Sequence, residues 1–119
     1  MKYIDYNSEN VEKYKAENNM LIHARTGNGI SGFMLIDNSN NLIGYIAWQN
    51  KMIIAFEVVE NYRKQGYGSK LLLKAINTGN IKRLAVSSSN KDAINLYKDF
   101  GFLETGFDYI GNRLIMTLL

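Results

Sequence analysis

Apolar and polar positions alternate along the chain in three different rhythms. From Ser8 to Asn18 the sequence is polar, with Val11 and Tyr14 at i and i+3. Glu9 and Glu12 lie in the first turn and Ser8 is positioned as an N-cap, so this spacing predicts a helix over 8–18. Asn18-Asn19 breaks the pattern. Residues 20–25 fit a strand or a helical continuation equally, and Thr26-Gly27-Asn28-Gly29 has loop composition. The rhythm then shortens. Residues 32–36 and 42–48 are apolar and β-prone, and the polar turn Asp37 to Asn41 between them predicts a hairpin. A second turn at Gln49-Asn50-Lys51 leads into residues 52–59. That run is almost continuously apolar, as expected of a strand covered on both faces.

A helical period returns after Gly66. Leu71, Leu72, Ala75 and Ile76 share one face of a helix predicted over 66–77, ended by Thr78-Gly79-Asn80. A short strand, 81–87, carries Leu84 and Val86. Asn90 is a good N-cap, and Ala93, Leu96, Tyr97 and Phe100 share the next helical face. Gly101 occupies the place of a left-handed C-cap, and strands over about 102–107 and 112–118 close the chain. The order is helix, hairpin, strand, helix, strand, helix and two strands, which is an α/β domain with helices layered on a mixed sheet.

Composition narrows the chemistry. At 119 residues the chain suits one domain, 1–119, and 46% hydrophobic against 21% charged residues is a globular profile. There is no Cys, which excludes disulfides, thiolate metal sites and cysteine nucleophiles, and the single His, His23, cannot build a metal site alone. No metal is therefore expected. No apolar run approaches the length of a membrane helix, and the N-terminus lacks the apolar core of a signal peptide. A cytoplasmic protein with no membrane partner is the expectation. The net charge of +3 is modest and its cations are scattered, so no nucleic-acid partner is expected either. The Lys82-Arg83 pair reads as a solvated strand end, and Phe33, Tyr45 and Trp48 read as core or pocket wall.

The informative segment is Arg63-Lys64-Gln65-Gly66-Tyr67-Gly68-Ser69, which joins the apolar strand to the helix after it. Such a turn presents backbone N–H groups at the positive end of a helix, and glycine lets an anion approach the backbone closely. Arg63 and Lys64 add charge there. The nucleotide motifs do not fit: the third glycine of a dinucleotide fingerprint is replaced by Leu71, and no Gly-Lys-Ser/Thr run of a P-loop occurs.

This block resembles the Arg/Gln-x-x-Gly-x-Gly/Ala signature of the GCN5-related N-acetyltransferases (GNAT). A second block, Asn90-Lys91-Asp92-Ala93-Ile94-Asn95-Leu96-Tyr97-Lys98-Asp99-Phe100-Gly101-Phe102, resembles the family's Asn-x-x-Ala-x-x-Leu-Tyr-x-x-x-Gly-Phe. Glu60 stands where family members often carry Pro. The resemblance covers roughly 31–119 and is weak over 1–30, a part shorter than usual for the family that normally shapes the acceptor pocket.

The resemblance implies a mostly antiparallel sheet with helices on both faces, and direct transfer of an acetyl group from acetyl-CoA to an amine. Pantetheine would pair with the backbone near Val58 and Val59. Its pyrophosphate would sit on the N–H groups of Lys64, Gln65, Gly66, Tyr67, Gly68 and Ser69, beside Arg63, and Asn90 would contact pantetheine amides. Tyr97 matches the acid that protonates the leaving thiolate, although its position also suits a simple core tyrosine. Glu57, the only acid in the central strand, is the candidate base or else a solvated side chain. The acceptor is a small-molecule or protein amine, and the protein a monomer or homodimer. The alternative is a catalytically silent acyl-CoA-binding or regulatory module.

Overall fold

A computed structural model describes the whole chain, residues 1–119. Its elements in order are β1 (Lys2–Asp5), α1 (Ser8–Lys15), β2 (Ser31–Ile36), β3 (Leu42–Gln49), β4 (Met52–Val58), α2 (Tyr67–Gly79), β5 (Arg83–Ser87), α3 (Lys91–Asp99), β6 (Phe102–Asp108) and β7 (Arg113–Leu118). Short 3-10 turns occupy Asn19–Leu21 and Glu60–Tyr62. The strands form one seven-stranded sheet in the order β1-β2-β3-β4-β5-β7-β6. Every neighbouring pair is antiparallel except β4 and β5.

Helices cover both faces. Leu71, Leu72 and Ala75 of α2 and Ile94 and Tyr97 of α3 form one core with Ile46, Trp48, Leu84 and Met116 of the sheet. On the opposite face, Val11 and Tyr14 of α1 and Leu21 meet Met34, Tyr45 and Ala47. The alternation of β3 divides its residues between the two cores, since successive strand side chains point to opposite faces.

Three local expectations change. The cap of α1 is Asn7, not Ser8: Asn7 is extended and its Oδ1 accepts from the Asn10 N–H at 2.9 Å, while Ser8 is already helical. The helix stops at Lys15 rather than 18, because the Asn18 side chain donates to the Tyr14 carbonyl at 2.8 Å and replaces the next turn. Residues 20–25 are neither strand nor α-helix. One strand went unread: β1 is only four residues long, too short for a period, and pairs with β2 through Tyr3↔Leu35 and Ile4↔Met34.

β4 departs most usefully from expectation. Only Ile53 within it is buried; the other residues are partly open. Its register with β3 runs Ala47↔Ala55 and then Trp48↔Ile53, so Ile54 is an extra residue, a β-bulge. On the other side β4 touches β5 at a single pair, Met52↔Arg83. Beyond it the two parallel strands diverge. The apolar run packs on the cores of both faces but stays partly open, because a cleft runs along its β5 side.

The end of α2 is fixed by a close approach. A Cβ at Gly79 would lie 2.5 Å from Nε1 of the buried Trp48. Helix propensity favours Ala over Gly by about 1 kcal/mol, whereas overpacking a core costs about 1–3 kcal/mol. The buried indole has nowhere to go, so the second effect wins. Gly79→Ala is expected to lower unfolding free energy in urea by about 1–2 kcal/mol, while Asn77→Ala on the exposed side of the same helix changes it by less than about 0.5 kcal/mol. Equal effects would refute the packing argument.

Candidate active site

Where β4 and β5 part, a cleft of about 1140 Å³ opens. Ile54 to Val58 line one wall; Ala85 to Ser87 and the start of α3 line the other. Backbone N–H and C=O groups of a strand alternate in direction. The Val59 N–H donates to the Ile43 carbonyl at 2.8 Å, which fixes the phase. Glu57 and Val59 direct their backbone groups at β3, and Phe56 and Val58 direct theirs into the cleft. The Val58 carbonyl accepts from Arg63 Nε at 2.9 Å, and Arg63 Nη2 also lies 3.3 Å from Glu57 Oε1. Arg63 thus folds back on the strand end instead of extending into the turn.

The turn itself is a row of unused donors. Lys64 and Gly66 have positive φ, 61° and 87°, and no side chain caps α2. The first helical bond is Lys70 N–H to the Gly66 carbonyl, at 3.2 Å, and the N–H groups from Lys64 through Ser69 meet no acceptor within the protein. Alternating helical and left-handed residues curl such N–H groups into a concave anion nest, reinforced by the helix dipole. A Cβ at Gly66 would meet nothing within 4 Å, so the approach to the nest is open. The preceding turn is braced from a distance: Tyr62 Oη donates to Asp37 Oδ2 at 2.6 Å, and the Ser39 and Asn41 N–H groups bind Asp37 Oδ1. These bonds, that from Tyr62 foremost, hold the Asp37 carboxyl down to about 2.

Most residues picked from the sequence converge on this cleft. Glu57, Val58, Arg63, Lys64, Gly66, Tyr67, Gly68, Ser69, Asn90 and Tyr97 all line it. Val59 and Gln65 do not; the Gln65 amide donates to the Asn61 carbonyl at 3.1 Å. Asn90 caps α3, its Oδ1 accepting from the Ala93 N–H at 3.2 Å, which leaves its amide NH2 as a donor. Tyr97 packs its ring between Phe56 and Phe102, with centroids 6.2 and 5.8 Å away. Burial pushes its phenol up to about 12. The Tyr97 hydroxyl makes no hydrogen bond within the protein, yet no buried side-chain polar atom is left unpaired, so that hydroxyl opens on the cleft.

Several lining residues escaped the sequence reading, Phe56, Arg25, Asp92 and Arg113 among them. Phe56 was indistinguishable from strand core. Arg25 sits in a segment without periodicity, and only the tertiary fold brings it to the cleft. His23 lies nearby on a second, smaller pocket.

A strand-to-helix anion nest opening on a splayed parallel pair, with a phenol at its inner end, agrees with the model of the acetyltransferase (GNAT) family, which matches residues 3–102. The chain belongs to that family. Its enzymes are N-acetyltransferases that use acetyl-CoA as donor. The match begins within β1, so it includes the first thirty residues, where resemblance by motif is weak. Solved structures agree on the fold. The ribosomal-protein-S18-alanine N-acetyltransferase from Escherichia coli superposes with a TM-score of 0.77 at 21% identity, over 98% of this chain and 92% of that one. A spermidine N-acetyltransferase from Vibrio cholerae gives 0.68 at 16% identity, over 100% and 95%. A GNAT-family acetyltransferase from Staphylococcus aureus Mu50 gives 0.66 at 22% identity, over 99% of each chain. No curated protein matches this GNAT chain by sequence. No helix of the chain is long and apolar enough to cross a membrane.

The raised phenol has a consequence for stability. Folded Tyr97 holds its proton up to about pH 12, whereas an unfolded tyrosine releases it near pH 10. The stabilisation is complete below pH 10 and is lost as pH rises toward 12, by up to about 2.7 kcal/mol. Urea unfolding of Tyr97→Phe should show a shallower loss of stability between pH 9 and 11 than the parent. Parallel profiles would mean that Tyr97 is not desolvated.

Proposed function

We propose that the cleft binds acetyl-CoA and that the protein transfers its acetyl group directly to an amine. The observation that carries the reading is the coincidence of the unsatisfied N–H row, Lys64 to Ser69, with the strand edge where Phe56 and the Val58 N–H face the cleft. A long polyanionic thioester needs both features. The nest takes the pyrophosphate, with Lys64 as the adjacent cation, and the strand edge takes the pantetheine amides. Asn90 donates its remaining amide hydrogens from the opposite wall. Because the Val59 N–H belongs to Ile43, the pairing is assigned to Phe56 and Val58 rather than to Val59.

Tyr97 supplies a proton where the thiolate departs. A phenol near 12 is fully protonated at neutral pH but is a weaker acid than an alkyl thiol near 8.5. Full transfer to a free thiolate would run uphill, so Tyr97 stabilises the developing charge by hydrogen bonding and passes its proton on only as the amine loses one. Glu57 lies on the other face of β4, opposite Tyr45 in register and bonded to Arg63. Any carboxylate is a far weaker base than an aliphatic amine and does not deprotonate an ammonium ion. Glu57 serves an amine that arrives neutral, by orienting it and accepting a proton once the new C–N bond has made the nitrogen acidic.

Acetyl-CoA and CoA, but not ATP, should raise the midpoint of thermal unfolding, with a stabilisation near 2.7 kcal/mol at about 100 times Kd. No shift with either thioester or thiol would remove the reading. Tyr97→Phe keeps the ring packing, and it is expected to lower kcat by about 100-fold with little change in KM for acetyl-CoA. A joint loss of binding and turnover would return Tyr97 to the core and favour a binding module without catalysis.

A further inference from the structure

A second pocket, of about 150 Å³, lies on the α1 face of β4. This is the scale of a cavity that takes one benzene-sized group. Its walls include the stacked rings of Tyr6 and Tyr45, with centroids 6.0 Å apart, and the strand residues Ile54 and Ala55. Ile54, Ala55 and Arg25 line both this pocket and the large cleft, so the two spaces meet at β4. The charges in the pocket are one-sided. Its polar lining is Arg25, His23 and two phenols, with no carboxylate. Both phenols stay neutral through the physiological range, because burial pushes each of them up. None of the four ion pairs of the protein includes Arg25, whose guanidinium lies close enough to Tyr6 to oppose that push. Outside that lining, Glu57 faces Tyr45 across the β3–β4 register and adds to the push on its phenol.

We propose that the acceptor is a primary amine with an anionic group close to it, and that Arg25 selects it. The inference rests on the acetyl-donor reading of the large cleft. Glu57, on the lining of the large cleft, marks the side where an amine enters, and Arg25, which lines both spaces, marks the side where a carboxylate or phosphate is matched. A guanidinium binds such groups through charge-assisted bonds and its forked donors. A polyamine would set a second ammonium against Arg25, in a pocket whose lining holds no carboxylate. The same chemistry is met by a free amino acid and by a peptide N-terminus with an acidic second residue.

Thiol release from acetyl-CoA tests this with matched probes: alanine against alaninamide, a pentapeptide Ala-Asp against one beginning Ala-Lys, and spermidine. The carboxylate-bearing member of at least one pair should show kcat/KM at least tenfold above its partner and above spermidine. Which pair responds distinguishes a free from a peptidic acceptor. Arg25→Gln should erase the ratio through KM of the acceptor, Arg25→Lys should retain part of it, and KM for acetyl-CoA should stay within twofold in both. Preference for spermidine or for the uncharged partners would overturn the inference, as would a ratio unchanged in Arg25→Gln or a loss of acetyl-CoA affinity in that variant. Acetyl-CoA binding without turnover of any anionic probe overturns it too, yet leaves the donor reading standing. Absence of acetyl-CoA binding in the parent protein refutes the donor reading itself.

Discussion

The divergence of β4 from β5 is the constraint on which the site depends. Two parallel strands in mid-sheet would normally satisfy one another along their length. Here they pair at Met52↔Arg83 alone, and strand backbone facing a cleft is left with unpaired groups that water or a ligand must satisfy. The sheet tolerates this because β4 keeps its antiparallel ladder with β3 and β5 keeps its own with β7. The bulge at Ile54 supplies the bend: one extra residue increases local twist and turns the strand away from its neighbour. The cleft and the exposed edge of Phe56 and Val58 lie directly beyond that insertion.

The turn that follows depends on the same geometry. A strand leaving the sheet must redirect the chain into α2 within a few residues, and it does so through left-handed Lys64 and Gly66. A left-handed Lys costs of order 1 kcal/mol without a compensating contact. The structure around it is accordingly held from two sides, by Arg63 on the Val58 carbonyl and by Tyr62 on Asp37 in the distant β2–β3 turn. These bonds fix the row of N–H groups before any ligand arrives, which removes part of the ordering cost of binding.

Much of this was legible in the sequence. The 3.6-residue spacing of Leu71, Leu72 and Ala75 and of Ala93 and Tyr97 placed α2 and α3, and Gly66-Tyr67-Gly68 placed the nest between strand and helix. Those signals are local, since they depend on residues within a turn or two of each other. What escaped was non-local. The strand β1 exists because β2 offers it an edge. The apolar run 52–58 carries no mark of whether its covering is protein or cleft, so it was read as enclosed. Arg63 reads as a phosphate-binding cation in sequence, but its guanidinium finds the Val58 carbonyl and Glu57 closer than the nest. Arg25 gave no signal because a loop residue acquires its neighbours only when α1 and the 3-10 turn after it dock on the sheet.

The bulge also determines which chemistry meets which. On one side of β4, Phe56 and Val58 pack toward the core that holds Tyr97; on the other, Ile54, Ala55 and Val59 pack toward the core of Tyr6 and Tyr45. Strict alternation would put Ile54 with Phe56. The extra residue breaks the phase, so that Ile54 and Ala55 fall together on the α1 face, where both pockets touch them. Ordinary alternation at the next residues puts Phe56, packed on the Tyr97 ring, and Glu57, opposite Tyr45, on the two faces of one strand. A one-residue slip of register would exchange the two faces. The extra residue at Ile54 thus sets which side chains of β4 face both pockets.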